Sequence, residues 1–340
     1  MSKRVIAVYG LEKQFRPGVR KGFRGHEVHI FTEPLTIDSC LEDTTDLIVF
    51  IDSVITKEIF RKLPALQTIA TMSTGFDHID LREAKKRGIT VMNVPTYGEQ
   101  TVAEHAAALL LGLTRKLFPS VKRVKEGVFD YAGLRGMDIA GKTIGIIGTG
   151  HIGMHVARMM AGFGVRLLGY DVFPNKAGAE AAQLIYVPLS TLVAEADIIS
   201  LHLPLTEKTH HLLSKKMFQK MKRGVYVINT ARGALIDSEA LVWALNEGIV
   251  AGAGLDVLED EASVKSSAHL IYGEGKEVHQ NMRTNLMNQM LIDHPSVIIT
   301  PHNAFNSTEA LLRIVQTTIQ NVQGAIAGTP QNVVSGKKRG

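Results

Sequence analysis

Short apolar runs alternate with helical segments along most of this chain, and that alternation restricts its fold more than any other feature. VIAVY (5–9), LIVFI (47–51), TIATM (68–72), TVMNV (90–94), TIGIIG (143–148), RLLGYD (166–171), DIISLHL (197–203), VYVINT (225–230), AGAGLD (251–256) and VIIT (297–300) have the length and apolar continuity of strands buried on both faces. Between them, Ile152, Val156, Met159, Met160 and Phe163 recur at helical spacing, as do Leu311, Leu312, Val315, Ile319, Val322 and Ile326. Strands alternating with helices predict parallel sheets covered on both sides, the doubly wound α/β class. A length of 340 residues predicts two such domains.

Three places break the rhythm: 93–105, the polar stretch 262–296, and PHNAF at 301–305. The long stretch predicts an elaborated loop near a site, with a helix ending in MNQMLIDH before Pro295. The single Cys40 forms no internal disulfide, and no apolar signal segment opens the chain, so a cytoplasmic location is expected. The apolar run 106–113 is too short for a membrane span and predicts a buried helix. A net charge of +5 is dispersed, clustering only in KKR at 337–339, so neither nucleic acid nor membrane is an expected partner.

GTGHIG at 148–153 follows an apolar strand and opens a helical stripe, which is the context a dinucleotide-binding turn requires. Gly148 suits the tight turn, Gly150 the approach of a diphosphate to the backbone, and Gly153 close packing of helix on strand, with His151 and Ile152 facing the diphosphate through their backbone. Asp171 ends the next strand, eighteen residues after Gly153, where a carboxylate accepts from a ribose 2′-hydroxyl and repels a 2′-phosphate. NAD is therefore favoured over NADP, the alternative being a turn-forming aspartate. S-adenosylmethionine-dependent enzymes use a similar turn, so the signature alone does not name a reaction.

Three further strand ends carry charge. Arg232 follows VYVINTA, GLDVLEDE (254–261) enters an acidic run, and His302 follows VIITP. An arginine at the mouth of a buried strand needs an anionic partner, either a structural carboxylate or a ligand. A guanidinium grips a carboxylate bidentately, and an imidazolium beside a carboxylate donates a proton to a carbonyl oxygen as hydride reaches its carbon. His210 and His211, adjacent in sequence, are expected to diverge, with no nearby acid at metal-ligand spacing, so no metal is expected. His105 reads as a hydrogen-bonded helix residue.

These motifs, with STGFDHIDL (73–81), VAEHAAALLL (102–111), YDV (170–172), SLHLPLTEKTHHLL (200–213), INTARG (228–233) and TPHNAF (300–305), resemble the D-2-hydroxyacid dehydrogenase family over nearly the whole chain, in order and spacing. The resemblance implies a Rossmann NAD-binding domain at 99–304 inserted into a flavodoxin-like substrate domain of 1–98 plus 305–340, with hinges at PTYGEQT and PHNAF. It implies that Arg232, Glu261 and His302 are catalytic, Arg232 meeting a substrate carboxylate in an interdomain cleft. By the same pattern Thr74 and Gly75 hold that carboxylate, Leu203, Pro204, Thr209, Thr230 and Ala231 line the cofactor, Asp256 contacts its nicotinamide side, and Glu259 and Asp260 are solvated.

Tyr97, Phe305 and the long insert resemble the D-lactate branch, with Asn306 a departure where an aromatic often stands. That implies pyruvate and D-lactate as the substrate pair, with Tyr97 and Phe305 against the substrate side chain. Other 2-keto acids, 2-ketoisocaproate and hydroxypyruvate or glyoxylate among them, stay open, as does an NAD-sensing binding protein without turnover. The family also implies a homodimer, expected to use the apolar helix 101–113.

Overall fold

The computed structural model describes residues 3–261 and 276–334. Its contacts divide into two compact units, Met1–Gly98 with Asn306–Gly340, and Glu99–Phe305. In chain order the first unit contains β1 (Val5–Val8), α1 (Arg16–Gly22), β2 (Glu27–Ile30), β3 (Asp46–Val49), α2 (Lys57–Lys62), β4 (Thr68–Thr71), α3 (Leu81–Lys86) and β5 (Thr90–Met92). The second contains α4 (Glu99–Thr114), α5 (Leu117–Lys125), β6 (Thr143–Ile147), α6 (His151–Ala161), β7 (Arg166–Tyr170), α7 (Lys176–Ala181), β8 (Leu184–Tyr186), α8 (Leu189–Glu195) and β9 (Ile198–Leu201). It continues through α9 (Lys215–Phe218), β10 (Val225–Asn229), α10 (Ser238–Asn246), β11 (Val250–Leu255), α11 (Lys276–Asp293) and β12 (Val297–Ile299). The chain then returns to the first unit with α12 (Thr308–Ile326).

Both sheets are parallel throughout, as the alternation of runs and helices predicts. The first unit has strand order β2-β1-β3-β4-β5, the flavodoxin-like order. The second has β12-β11-β10-β9-β6-β7-β8, the dinucleotide-binding order extended by one strand. Its order reverses between β6 and β9, and open α/β sheets of this kind bind ligands outside the carboxyl ends of the strands at such a reversal. Every residue of β3, β4, β6, β9 and β10 is buried, which suits their largely apolar sequence, and the polar Asp46, Thr68, Thr71, Thr143, Ser200 and Asn229 within them are buried as well.

Two strands, β2 and β8, lie outside the expected apolar runs. Both lie at sheet edges: EVHI of β2 is half-buried throughout and did not need the continuous apolarity of a central strand, whereas β8 is apolar but only three residues long, LIY. The expected loop at 262–296 is corrected in part: residues 276–293 form α11, and 262–275 lie outside the described residues. The helix expected before Pro295 is thus present, and its start at Lys276 goes unannounced because its inward face is thin. Leu291 is buried, Met287 packs partly against the core of the second unit, and the buried residue beside them is polar Asn288.

The apolar helix α4 is not an exposed face awaiting a partner. Ala103, Ala106, Leu109, Leu110 and Leu113 are buried in its own unit, against Ile144, Ile146 and Ile228 of the sheet. The exposed apolar side chains come immediately afterwards, at Leu117, Phe118, Val121 and Val124 of α5 and at Val128, Phe129 and Tyr131 beyond it. No described helix is long and apolar enough to cross a membrane.

Candidate active site

The turn after β6 is shaped by its glycines. Gly148 has φ +93°, and a Cβ there would lie 2.5 Å from the carbonyl oxygen of His202 at the end of β9, so both conformation and close approach demand glycine. A Cβ at Gly153 would lie 2.0 Å from the Gly148 carbonyl oxygen, which explains how α6 starts so close to the turn. Gly150 differs: a Cβ there would meet no protein atom within 4 Å. Packing therefore gives no reason for glycine at 150, whereas a diphosphate lying against the backbone at the head of α6 does. His151 and Ile152 form the first turn of α6, His151 exposed and Ile152 half-buried.

Asp171 follows β7 and faces this turn. Its Oδ2 accepts from the Thr149 amide at 2.7 Å, and its Oδ1 accepts from the Phe173 amide at 2.9 Å. The carboxylate thus organises two turns, and its remaining lone pairs can accept from ribose hydroxyls. At the other strand ends, Leu203 is half-buried and Pro204 exposed, and the Thr209 hydroxyl donates to the Pro204 carbonyl at 2.7 Å, closing a turn. Thr230 and Ala231 follow β10. The buried Thr230 hydroxyl oxygen has no hydrogen-bond partner among the described residues, nor has buried Nδ1 of His202. Unmet polar atoms beside the reversal between β6 and β9 fit a ligand-lined crevice, and these residues with the glycine turn fit NAD.

His202 was not singled out by sequence reasoning, although it lies inside SLHLPLT. Its Nε2 bonds the Ser200 hydroxyl at 2.8 Å, and desolvation pushes its pKa down to about 4, so the ring is neutral near pH 7.

The charged residues gather at the ends of β10, β11 and β12. Buried Asn229 holds the turn after β10, its side chain accepting from the Ala231 amide at 3.0 Å and donating to the Arg232 carbonyl at 2.9 Å. Arg232 is exposed, and its guanidinium donates only to the Ala231 carbonyl, at 2.7 Å; among the described residues it has no carboxylate partner. Gly233 lets this turn touch the segment after β11, since a Cβ there would lie 2.0 Å from the Leu258 carbonyl carbon and oxygen. That segment carries Glu261, whose Oε1 accepts from the Leu258 amide at 3.2 Å and whose Oε2 lies 2.8 Å from Nδ1 of His302.

His302 occupies a left-handed backbone conformation, φ +53°, in a turn built around buried Asp256. Oδ1 of Asp256 accepts from the Thr300 hydroxyl at 2.5 Å and the Asn303 amide at 2.9 Å, and Oδ2 from the Ala304 amide at 2.9 Å. Its carboxylate is therefore committed to the shape of the 300–304 turn. His105 on α4 supports the same turn through the Thr300 hydroxyl at 3.0 Å. Phe305 is half-buried at the end of this unit.

In the first unit, Thr74 and Gly75 lie in the loop after β4. The Thr74 hydroxyl donates to the Val94 carbonyl at 2.9 Å, Asn93 donates to the Thr74 carbonyl at 2.8 Å, and the Ser73 hydroxyl donates to the Gly75 carbonyl at 2.6 Å. Every carbonyl named here is engaged, while the amides of Thr74 and Gly75 donate to nothing among the described residues. Half-buried Tyr97 accepts at its carbonyl from Arg313 of α12, at 2.6 Å.

Two expectations fail. His210 and His211 do not diverge: their rings stack with centroids 3.9 Å apart, because His211 takes φ +50° and turns its side chain to the same side. Glu259 is not a solvated carboxylate, being half-buried with Oε1 2.6 Å from Nε2 of His211.

Comparison with known proteins agrees with this geometry. Residues 107–304 match the family of D-isomer specific 2-hydroxyacid dehydrogenases at its NAD-binding domain. A D-lactate dehydrogenase of Escherichia coli is 35% identical over 95% of this chain and 97% of its own length. An aromatic 2-oxoacid reductase of Clostridium sporogenes is 40% identical over 78% of each chain. The crystal structure of a D-lactate dehydrogenase from Aquifex aeolicus, complexed with NAD and lactic acid, superposes with a TM-score of 0.82 at 34% identity, covering 98% of this chain and all of the other. With the strand order, the glycine turn and the charged strand ends, these similarities make the chain a member of the NAD-dependent D-2-hydroxyacid dehydrogenase family.

Proposed function

We propose that the protein reduces pyruvate to D-lactate with NADH, and catalyses the reverse reaction, using Arg232, Glu261 and His302. The observation that carries this reading is the unpaired state of Arg232. A guanidinium without a carboxylate among the described residues, held in a turn against the segment bearing Glu261, is suited to grip the carboxylate of a 2-keto acid bidentately. His302 presents Nδ1 to Glu261 and keeps Nε2 for the substrate, so the imidazolium can deliver its proton to the C2 oxygen. NADH supplies the hydride to C2. Asp256 acts as a positioning residue, fixing the turn that aims His302. Gly148, Gly150, His151, Ile152, Gly153, Asp171, Leu203, Pro204, Thr209, Thr230 and Ala231 would hold the cofactor. Asp171→Ala should narrow a preference for NADH over NADPH.

Pyruvate is favoured by the D-lactate dehydrogenases among the similar proteins. A bulkier aromatic keto acid is the second reading, favoured by the 40% identity to an aromatic 2-oxoacid reductase. Initial rates with NADH for pyruvate, 2-ketoisocaproate, phenylpyruvate and hydroxypyruvate, with the chirality of each product determined, separate them. The highest kcat/KM on phenylpyruvate would replace the first reading by the second, and no turnover on any keto acid would favour an NAD-sensing role. Phe305→Ala and Tyr97→Ala should raise the relative rate on the larger acids if these rings meet the substrate side chain. Self-association as a homodimer is assigned to the exposed apolar side chains of α5 and Phe129, because α4 is already buried. Sedimentation of Phe118→Asp against the parent tests it.

A further inference from the structure

We infer that His210, His211 and Glu259 form a binding site for one divalent transition-metal ion, with Zn²⁺ the best match to the ligand set. One ligand atom from each of the three side chains lies within 4.8 Å of the others, and this is the one such cluster of three among the described residues. Two imidazole nitrogens and one carboxylate oxygen are a set in which zinc binds with its fourth position left to water. The absence of a thiolate disfavours softer ions, and a single carboxylate is too little oxygen for calcium or magnesium.

The ligands come from two segments, each anchored independently of any ion. His211 is pinned by its amide, which donates to the Ala234 carbonyl at 2.8 Å. Glu259 has its second oxygen 3.2 Å from the Ser238 hydroxyl, while its carbonyl accepts from buried Asn288 of α11 at 2.7 Å. Such outer contacts orient metal ligands and keep the carboxylate from turning away. The hydrogen bond between His211 and Glu259 explains why those two meet, but not why a second imidazole joins them. His210 is exposed and free to face solvent, yet its ring lies over that of His211 with an interplanar angle of 26°. A modest rotation of this exposed ring brings its nitrogen to an ion shared with Glu259.

The site would tie together two parts of one unit. Glu259 follows Leu258, whose amide supports the carboxylate of Glu261, so a bound ion would clamp the loop behind Glu261 to the 206–213 loop. Binding to the folded chain alone raises its melting temperature, by a stabilisation that grows with the logarithm of free Zn²⁺ over Kd. This inference does not depend on which keto acid is reduced.

The test uses untagged full-length protein freed of metal by chelation, with Zn²⁺ alone titrated calorimetrically and Co²⁺ followed by its visible absorption. The parent should take up one Zn²⁺ per chain, with a rise in melting temperature and a low-symmetry Co²⁺ spectrum. His210→Ala, a change at an exposed ring, should weaken Zn²⁺ binding at least about tenfold and abolish that spectrum, since even outer-shell changes cost 10- to 100-fold. His155→Ala is the control: His151 and His155 lie one turn apart on α6 beside Glu99, and removing His155 should leave the affinity intact. A parent that binds no Zn²⁺ stoichiometrically, an affinity equal in parent and His210→Ala, or binding lost in His155→Ala instead, would overturn the site.

Discussion

Two glutamates in GLDVLEDE each hold a histidine, and they differ in everything around that shared contact. Glu259 meets Nε2 of His211 at 2.6 Å, and Glu261 meets Nδ1 of His302 at 2.8 Å. The histidine side chains are 33% exposed in both pairs, so burial does not separate them. Their neighbours do. His302 lies after β12 in a turn fixed by Asp256, and two strands away, after β10, stands Arg232, an arginine with no carboxylate among the described residues. Beside His211 stand a second imidazole and the Ser238 hydroxyl. A carboxylate orients an imidazole in either place. What the outward ring atoms face decides whether the pair moves a proton or holds a ligand.

The largest expected effect breaks the pairs apart by turnover. His302→Ala should lower kcat for keto-acid reduction by roughly 10² to 10⁴, the usual worth of a positioned proton donor. Arg232→Lys should lower kcat/KM by about ten- to a hundredfold, because a point charge loses one of two charge-assisted hydrogen bonds. If His211→Ala cost as much turnover as His302→Ala in steady-state assays, the contrast between the pairs would collapse.

Much of the candidate site could be read from the sequence because its parts sit at strand ends, and buried parallel strands announce themselves. Arg232, Asp256 and His302 each follow a continuous apolar run, and Gly148 to Gly153 follow another. What stayed hidden depends on folding at a distance. Glu259 and Asp260 are adjacent acids in a polar run, and nothing local distinguishes the half-buried one; its burial comes from His211, 48 residues away, and Asn288 on a helix with a thin apolar face. Two neighbouring histidines point apart in an extended chain, and the left-handed φ of His211 that reverses this is a conformation for which its sequence gives no glycine or asparagine signal. Edge strand β2 was invisible for the opposite reason, since a half-exposed strand needs no apolar run, and β8, apolar but three residues long, is too short to stand out.

A third histidine sharpens the comparison by lacking a carboxylate. His202 bonds only the Ser200 hydroxyl, and its folded-state pKa of about 4 lies below the ordinary value of about 6.5 expected in the unfolded chain. Between those values the unfolded state binds more protons than the folded state, so stability rises with pH across that window. The contribution is whole above about pH 6.5, drains as pH falls, and is spent near pH 4, amounting to at most about 3 kcal/mol. Burial lowers the pKa of His78 as well, which adds in the same direction. Urea unfolding at pH 7.5 and pH 5 should therefore show a smaller loss for His202→Gln than for the parent. Equal losses in the two proteins would mean that His202 is solvated in the folded state.

The smallest effect separates the acids themselves. Glu259→Gln keeps the shape and a hydrogen-bonding oxygen but removes the charge facing His211. The pair is partly exposed, so solvent screening limits the loss of stability in metal-free protein to about 1 kcal/mol. With Zn²⁺ present the difference should widen, because only the parent gains the stabilisation of a bound ion. Glu261→Gln should behave the other way. Its melting temperature should change little, since its carboxylate is itself partly exposed, while turnover falls because the His302 imidazolium loses the carboxylate that orients it. The two variants differ by one charge two residues apart on the same segment, so melting curves with and without Zn²⁺, taken beside kcat for pyruvate, read the contrast directly. A Glu259→Gln protein that lost more turnover than Glu261→Gln would exchange the two assignments, making Glu259 the acid that serves the chemistry.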